Sequence, residues 1–457
     1  MKKSFYKFLL VLILIFYVNT IEAQKDTIVA QKETSKYVKE WTLEECIGYA
    51  LDNNLQIKRQ GLQTEVAKNN LGQSKFNFLP DLSGKGLHTV GTGPNPNSYS
   101  FDKVSSSTGA VYLNGNLNLF SGFQKINNVK RNQSNYLGTM KDLEKTKNDI
   151  ALTIASAYLQ ILFSNELLEV SKNQLMISNL QVEKTQKLVE VGNLAKGSLL
   201  EIQAQAAADD ANVTTTQNQL NLSYMSLTQI LDLDTVSNFK IFIPSELSIP
   251  NNFVEDPDSI YRIAVNNLPQ IKSVEYQLKS SQYQLAIARG SRMPSVDISG
   301  TIGSNYNLNL RDSSGKIPIR RQLDDQYYKN VTLSLNIPIF TKYVTQTNIS
   351  NAKISVKDNE FALKQAQLSL RKEIEQAYAD ALAAFQNYKS REKSADAYEE
   401  NFKYVQQKFD VGLINSVDYN VAKNNFVKAK SDFLQSKYEF IFKTKILEFY
   451  KGNVIKL

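Results

Sequence analysis

Two segments of the chain alternate apolar and polar residues one by one, which is the period of a β-strand with two different faces. The apolar positions are Val111, Leu113, Leu117 and Leu119 in the first segment and Val331, Leu333, Leu335, Ile337 and Ile339 in the second. The residues between them are mostly Asn, Ser and Thr. We predict β-hairpins of strands 80–90 with 108–120 and 294–307 with 328–340. The pattern fits outer-membrane strands between lipid and water, with a soluble β-sandwich as the alternative.

Two long stretches without proline follow the hairpins and predict helices of unusual length. The first runs from Gly122 to Val191 and the second over about 342–411. A helix of 70 residues spans roughly 105 Å at ~1.5 Å per residue. A coiled-coil spacing of four and three residues relates Ile374, Tyr378, Ala381, Phe385 and Tyr388, and equivalent positions hold Ile154, Tyr158, Ile161 and Leu168.

Each long helix is expected to end at a glycine, Gly192 or Gly412, which accepts the left-handed conformation that follows many helices. Return helices should then run to about 231 and 450. The pattern Ser198-Leu-Leu-Glu201 resembles a capping box and predicts the start of the first return helix.

The chain also resembles itself when it is shifted along its own length. Ala50, Gln56–Ile57–Lys58 and Pro80 recur 214 residues later, whereas Ala157–Tyr158 and Val191–Gly192 recur 220 residues later, and Leu119–Phe120 aligns with Ile339–Phe340 at the same shift of 220. The six-residue difference falls between Pro80 and Phe120, where a loop can absorb an insertion. We therefore predict two structural repeats, 24–240 and 241–457, each with a helix, a β-hairpin, a long helix and a return helix.

The first helix of each repeat has its own start signal. Thr42-Leu-Glu-Glu45 is a capping-box pattern that predicts a helix to about Phe76. Asp256-Pro257 supplies an N-cap and a first-turn proline in the second repeat, where Pro269 should interrupt the helix.

The N-terminus has the pattern of a secretory signal peptide over residues 1–23. Lys2, Lys3 and Lys7 precede an apolar run from Phe8 to Val18, and Ala23 is a small residue at the expected cleavage site. The run is too short to span a bilayer. No Cys follows it closely, so we expect no lipid anchor on the mature N-terminus.

Composition excludes several classes of protein. With 42% hydrophobic residues and a mean hydropathy of −0.33, the 457-residue chain is not a polytopic helical membrane protein. Its 22 Phe and 23 Tyr exclude a disordered chain. The net charge of +8 is spread over mixed-sign segments, which indicates solvated helix faces and no nucleic-acid partner.

Candidate chemistry is sparse. One Cys, Cys46, and one His, His88, exclude an intrachain disulfide and a Cys/His zinc cluster. No P-loop, HExxH or GxSxG motif occurs, so we predict neither an enzyme nor a cofactor. Two hairpins supply four membrane strands, and open strand edges are not tolerated in lipid, so the chain must form an oligomer if the strands cross a membrane.

Taken together, the order and spacing of short motifs over about 410 residues resemble the outer-membrane efflux protein (TolC) family. The shared features are Trp41-Thr-Leu-Glu-Glu45, Phe78-Leu79-Pro80, Arg292-Met293-Pro294, the strand exits Leu119–Phe120 and Ile339–Phe340, and Val-Gly turns at 191–192 and 411–412. The resemblance implies a mostly α-helical fold with a β-barrel part. It implies a homotrimer with a 12-stranded barrel in outer-membrane lipid and a long helical tunnel in the periplasm.

The same resemblance implies a passive duct for efflux or type I secretion, loaded by an inner-membrane pump and a periplasmic adaptor. A structural periplasmic coiled-coil or adhesin protein is the alternative. The exported substrate, whether a drug, a metal or a protein, does not follow from the sequence.

Site residues also come from the resemblance. It implies that two turns touch the adaptor: Val191, Gly192, Asn193 and Leu194 in the first repeat and Val411, Gly412 and Leu413 in the second. The second turn matches the family's Val-Gly-Leu, whereas Asn193 replaces Leu in the first. Phe409 and Asp418 fall on family gate positions, and Ser198 aligns with Asp418. Ile414 replaces a family arginine, so the family's salt-bridge latch is incomplete; a purely capping role for Ser198 and Asp418 is the alternative.

Overall fold

The computed structural model describes residues 40–94, 103–234, 239–244 and 256–453, all within one compact unit. The predicted signal peptide lies outside the described residues. The helices are α1 (Leu43–Asn53), α2 (Leu55–Phe76), α3 (Gln124–Glu190), α4 (Lys196–Ile230), α5 (Pro257–Asn267), α6 (Pro269–Gly290), α7 (Ile319–Asp325), α8 (Val344–Asp410) and α9 (Ser416–Tyr450). The strands are β1 (Glu40–Trp41), β2 (Asp81–Pro94), β3 (Lys103–Ser121), β4 (Lys240–Ile241), β5 (Ser295–Asn307), β6 (Arg311–Asp312), β7 (Gly315–Lys316) and β8 (Tyr327–Asn336).

The four predicted long strands form one antiparallel sheet in the order β2-β3-β5-β8. The hairpins predicted from alternation are confirmed, but β2 and β3 are longer than expected, with 14 and 19 residues. The strand β8 ends at Asn336, before the predicted end at 340, and Pro338 beyond it has no N–H for a ladder hydrogen bond. In the described part of the chain, the outer edges of β2 and β8 are unpaired.

The two predicted long helices are confirmed as α3 and α8, each of 67 residues or roughly 100 Å at ~1.5 Å per residue. Both begin after two left-handed residues, Gly122–Phe123 and Lys342–Tyr343. Three of these four residues are not glycine, so their left-handed backbone conformation is sterically unfavourable. The surrounding structure must offset this cost where the chain turns from the sheet into the helix.

The single helix predicted from Thr42 to Phe76 is wrong, because Asn54 divides it into α1 and α2. The Asn54 backbone is extended, and its Oδ1 accepts hydrogen bonds from the N–H groups of Gln56 and Ile57, which caps α2. Its Nδ2 also donates to the carbonyl oxygen of Ile230. The equivalent break between α5 and α6 lies at Leu268, where Pro269 was expected to interrupt the helix.

The main core lies where α1 meets the middle of α3 and the ends of α4 and α9. Leu43, Cys46 and Ala50 of α1 pack there against Ile154 and Tyr158 of α3. The hydroxyl of Tyr158 donates to the carbonyl oxygens of Trp41 and Phe242, on the two sides of the β1–β4 pair. Burial raises the pKa of the Cys46 thiol to about 12, so this cysteine stays protonated.

The predicted coiled-coil seams are largely confirmed by burial. Ile154, Tyr158, Ile161 and Leu168 are buried on α3, and Ile374, Ala381 and Tyr388 are buried on α8. Tyr378 and Phe385 are half-buried at the edge of the same seam. By length and composition, α3 is the one described helix that could cross a membrane, and its apolar middle packs inside this core.

Candidate functional site at the helical tip

The helices α3 and α4 form one antiparallel hairpin and α8 and α9 form another; the helical tip is defined here as residues 188–198 and 408–418. Gly192 and Gly412 are left-handed there, with φ of 78° and 76°. In the first turn, the N–H of Gly192 donates to Val189 and the N–H of Asn193 to Leu188. The second turn repeats both bonds, from Gly412 to Phe409 and from Leu413 to Lys408.

These paired bonds are a Schellman motif, which satisfies the last carbonyl groups of each long helix. The predicted helix ends at the two glycines are therefore confirmed. The turns also expose apolar side chains that a simple cap does not need. Val191 and Val411 are each 70% exposed and Leu413 is 73% exposed, whereas Leu194 is half-buried and Asn193 is exposed. Such apolar residues at a surface turn are suited to contact another protein.

The capping box predicted at Ser198 is wrong, and the alternative in which Asp418 caps the second return helix is wrong as well. The helix α4 begins after Ala195, without a side-chain cap, and Ser198 is its third residue. The helix α9 begins after Asn415, whose Oδ1 accepts a hydrogen bond from the N–H of Asp418 at 2.8 Å. Asp418 is thus an exposed first-turn carboxylate, free to interact with the helix dipole or with solute.

Phe409, the other gate candidate, lies inside the hairpin. It is 2% exposed and stacks on Tyr419, with ring centroids 4.9 Å apart. Ile202 of α4 and Phe402 of α8 complete this small core. The position of Phe409 favours a packing role over a side chain that lines an open passage.

A buried charged cluster joins the two hairpins near the helical tip. Lys423 of α9 is 1% exposed, and its Nζ lies 2.5 Å from Oδ2 of Asp209 on α4. The same Nζ donates to Oγ of Ser178 on α3, and Gln205 Nε2 donates to the other carboxylate oxygen of Asp209 at 3.0 Å. Burial lowers the pKa of Lys423, and the hydrogen bond that its Nζ donates to Asp209 opposes this shift.

Further polar contacts link the hairpins along their length. Near the tip, Lys184 of α3 pairs with Asp410 of α8 at 2.7 Å, and Ser416 donates to Glu201. Towards the core, Glu166 of α3 accepts a 2.5 Å hydrogen bond from the hydroxyl of Tyr438 and a longer one from Lys437. The links are concentrated on α9, so its position relative to the first hairpin depends on polar contacts as well as on packing.

The first hairpin has a polar seam in its distal part, which our sequence reasoning missed. The buried seam residues of α3 there are Ser171, Gln174, Ser178, Gln181 and Thr185. They are spaced by three and four residues, so the seam pattern continues from Leu168 with polar instead of apolar side chains. This spacing is the sequence pattern from which the polar seam could have been predicted. Polar side chains gain less from burial than Leu or Ile, so hydrophobic burial stabilises this part of the hairpin less than the part near Leu168.

The remaining residues with possible chemistry are scattered over the described part of the chain. Within the described ranges, no group of three His, Cys, Asp or Glu side chains is placed to hold a metal ion. His88 stands on β2, where its Nδ1 lies 3.1 Å from the hydroxyl of Tyr306 and its Nε2 lies 3.1 Å from Oγ of Ser107. These contacts across the sheet give His88 a structural role.

The outward apolar faces of the edge strands are strongly exposed. Val90 of β2 and Val331 of β8 are 68% and 76% exposed, and Leu82, Leu333 and Leu335 on the same two strands are exposed to a similar extent. A sheet in water would not present such a face, whereas a sheet in lipid requires it.

This chain is similar to known proteins over most of its length. A family model described as outer membrane efflux protein matches residues 46–232 and 260–441. The outer membrane efflux protein BepC of Brucella suis is 18% identical over 403 residues, covering 88% of this chain and 83% of that protein. The toxin and drug export protein A of Aggregatibacter actinomycetemcomitans is 22% identical over 426 residues, covering 89% and 85%.

Among solved structures, the Campylobacter jejuni CmeC outer membrane channel superposes with a TM-score of 0.75 at 16% identity, covering 93% of this chain and 90% of that one. At this identity the likeness concerns the fold. The family match extends over both halves of the chain, including both turns of the helical tip.

Proposed function

This chain belongs to the outer membrane efflux protein family, and we propose that it is the outer-membrane duct of a tripartite export system. In this proposal the sheet β2-β3-β5-β8 is one third of a barrel, and three copies supply twelve strands. The long helices continue the passage into the periplasm. The predicted division into two repeats, 24–240 and 241–457, belongs to the same proposal.

One observation carries the proposal: a four-stranded sheet with an apolar outer face and two free edges is joined directly to two helices of about 100 Å. Four strands cannot close a barrel, and unpaired edges are not tolerated in lipid. The helices exceed a hydrocarbon core of roughly 30 Å more than threefold, so they must project beyond it. A non-transporting coiled-coil protein would have no need of the lipid-facing strands.

The helical tip is the proposed docking end. A periplasmic adaptor would contact Val411, Gly412 and Leu413 and, in the first turn, Val191, Gly192, Asn193 and Leu194. Exposed apolar residues on a rigid Schellman turn support this assignment. The pump would supply energy and select the substrate, and Asp418 would contribute an acidic ring near the closed end.

Conductance measured in planar lipid bilayers tests the duct. We expect the purified protein to produce uniform ion-conducting steps and to have the mass of three copies in detergent. A stable monomer that inserts no conducting unit would overturn the proposal and favour the structural coiled-coil alternative. The substrate class can then be sought by capturing the adaptor and pump that bind the helical tip.

A further inference from the structure

A polar cavity lies between α2 and α3, close to the sheet. Its volume is about 360 Å³, and every residue that lines it is polar. Among the described residues, Arg131 is the one charged residue in its wall. We call this cavity the amide pocket, because most of the lining residues carry an amide group. They include Asn70, Gln73 and Asn77 of α2 and Asn128 and Asn135 of α3.

Arg131 is held in the amide pocket by neutral partners. Its Nη1 donates to Oε1 of Gln284 on α6 at 2.7 Å, and its Nη2 donates to Oδ1 of Asn132 at 3.3 Å. Within the described part of the chain, its buried Nε has no hydrogen-bond partner and its guanidinium forms no ion pair. A half-buried positive charge without a counter-ion is unfavourable, because it loses hydration and gains no Coulomb attraction in exchange.

The amide side chains around Arg131 keep hydrogen-bond donors available. Asn132 Nδ2 donates to the carbonyl oxygen of Asn70 at 3.4 Å and so joins the two walls of the amide pocket. The side chains of the other five amide residues in the wall make no hydrogen bond to another described residue. Each of these amides carries two N–H donors, which can turn towards an acceptor in the cavity.

The helical surroundings of the amide pocket are positively charged. Four stretches of helix adjoin the sheet and contain eight Lys and Arg residues but no Asp or Glu: 66–76 of α2, 124–140 of α3, 276–290 of α6 and 344–356 of α8. None of the eight forms an ion pair with a described residue. Charges of one sign in the same region add up to a potential that attracts ions of the opposite sign, so this end of the helices favours anions.

The apolar side of α3 continues the apolar face of the sheet. Phe120 pairs with Val296 on that face, and its ring packs edge-on against Phe123, with ring centroids 5.4 Å apart. Ile126 follows Phe123 by three residues, on the same side of the helix, and is 45% exposed. The outward face of the sheet can therefore be followed from β3 into the first turn of α3.

The amide pocket opens on the opposite side of α3. Residues two positions apart in an α-helix are separated by about 200°, so Asn128 lies opposite Ile126. Asn135 shares the face of Asn128, because seven residues make almost two complete turns. If the apolar face of the sheet contacts lipid, as the proposed function requires, the amide pocket faces the passage.

We propose that the amide pocket is an anion-binding site in the wall of the passage, and that the exported solute carries a carboxylate or phosphate group. Arg131 supplies the positive charge, and the amide N–H groups supply hydrogen bonds to the oxygen atoms of the anion. This inference rests on the proposed function for the existence of the passage and adds the chemical class of the solute that moves through it.

The chemistry of the amide pocket favours an oxyanion over other ligands. Amide oxygens could bind a metal cation, but Arg131 would repel it, and no carboxylate lines the pocket in the described part of the chain. A neutral polyhydroxyl solute could bind the amides but would leave the guanidinium without a counter-charge. An oxyanion satisfies both groups, because its oxygen atoms accept charge-assisted hydrogen bonds from the guanidinium and further ones from the amides.

Binding to the purified full chain in detergent tests the site. Inorganic phosphate is followed by the width of its phosphorus NMR line, and isotope-labelled citrate and glucose are followed by carbon NMR. We expect phosphate, citrate or both to broaden, and glucose not to broaden. Arg131→Gln should raise the apparent Kd about fivefold or more. The matched control is Lys130→Gln, which removes the same charge from an exposed neighbour that lies over Tyr283, and it should change the Kd less than about twofold.

A second pair of variants leaves the net charge unchanged. Asn135→Leu removes amide donors from the amide pocket and keeps the contacts of Arg131, so it should raise the Kd about twofold or more. Gln133→Leu is the matched control, because Gln133 is also exposed but lies on the opposite face of α3, and it should have no effect. Circular dichroism checks that every variant keeps its helices.

Permeability separates this inference from the proposed function. Across a potassium chloride gradient, Arg131→Gln should raise the ratio of cation to anion permeability about twofold or more, in the opposite direction to Asp418→Asn at the other end of the long helices.

The outcomes are distinct. If the channels conduct but neither anion binding nor the permeability ratio responds to Arg131→Gln, the anion site is overturned and the duct remains. If glucose broadens as strongly as the anions and still does so in Arg131→Gln, the solute class is wrong. A loss of binding without a change in the permeability ratio would place the amide pocket away from the passage and overturn the inferred solute. Anion binding that depends on Arg131 in a protein that does not conduct would overturn the duct and leave the binding site.

Discussion

Lys423 and Asp209 form a buried ion pair, with Nζ 2.5 Å from Oδ2, that joins the second return helix to the first. The pair is 214 residues apart in sequence and has no counterpart in the other half, where Gln203 and Ala429 occupy the positions shifted by 220. It therefore distinguishes the two hairpins and couples them near the helical tip. Buried ion pairs contribute little net stability compared with apolar residues of the same volume, and our hypothesis is that this pair helps to select one arrangement of the helices.

Removing one member of the pair should be costly. We expect Lys423→Ala to lower the free energy of unfolding by about 3–5 kcal/mol, because Asp209 would remain buried without its counter-ion. Chemical denaturation followed by circular dichroism measures the change. Lys428→Ala, at an exposed position of the same helix, is the control and should change stability by less than about 0.5 kcal/mol. Equal effects of the two variants would contradict the role of the pair.

The stability of the folded chain should fall at alkaline pH because of the buried Tyr419. Burial raises the pKa of Tyr419, and the charges of Asp410 and Asp209 add to the shift. The folded chain then keeps a proton that the unfolded chain releases near pH 10, so stability is intact below that pH and falls as pH rises above it.

The variant Tyr419→Phe should remove this contribution. The Tyr419 hydroxyl has no hydrogen-bond partner among the described residues, so the variant should be as stable as the parent at pH 7 and more stable than it at pH 11. Denaturation midpoints at both pH values decide the matter. Tyr404→Phe, at an exposed position, should leave the pH dependence unchanged.

Two glycines near the helical tip should respond in opposite directions to alanine. Gly412→Ala should destabilise by about 1–2 kcal/mol, since φ of 76° is unfavourable for a residue with a Cβ. Gly197 lies in the first turn of α4 with open space around its Cβ position, so Gly197→Ala should stabilise by about 0.5–1 kcal/mol. Hydrogen exchange at the tip would register both changes, and a shift of equal sign would refute the account.

Adaptor binding should depend on Leu413. This side chain is 73% exposed, so Leu413→Glu should leave the thermal unfolding temperature unchanged while weakening adaptor binding about tenfold or more. Surface plasmon resonance with the purified adaptor gives the affinity. Asn193→Glu tests the less well matched first turn and is expected to have the smaller effect. Unchanged affinity in Leu413→Glu would remove the proposed contact.

Ion selectivity should depend on Asp418. Asn415 caps α9, so Asp418→Asn keeps the cap and loses only the interaction of the carboxylate with the helix dipole, about 0.3–1 kcal/mol. If three Asp418 side chains surround the passage, the variant should reduce cation over anion permeability, measured as a reversal potential across a salt gradient. An unchanged reversal potential would assign Asp418 to the first turn of the helix alone.

Local sequence rules located most elements within a few residues, and their failures have local causes too. The alternation of Val111 to Leu119 and the glycines at 192 and 412 depend on backbone period and conformation, which neighbouring residues decide. Asn54 interrupts a predicted helix that contains no proline, because its side chain caps the helix that follows. Ser198 is a residue type that often caps helices, but it is the third residue of α4, because that helix begins after Ala195.

The long helices, the two hairpins, the order of elements and the family could all be predicted from the sequence, because each depends on periodicity, turn residues and spacing along the chain. The three-dimensional structure was needed to find that Lys423 meets Asp209, that Phe409 is buried against Tyr419, and that several apolar side chains of α2 and α8 are exposed. These relationships join residues far apart in sequence, and the free energy that selects them comes from packing and desolvation between whole helices. No local pattern contains that information.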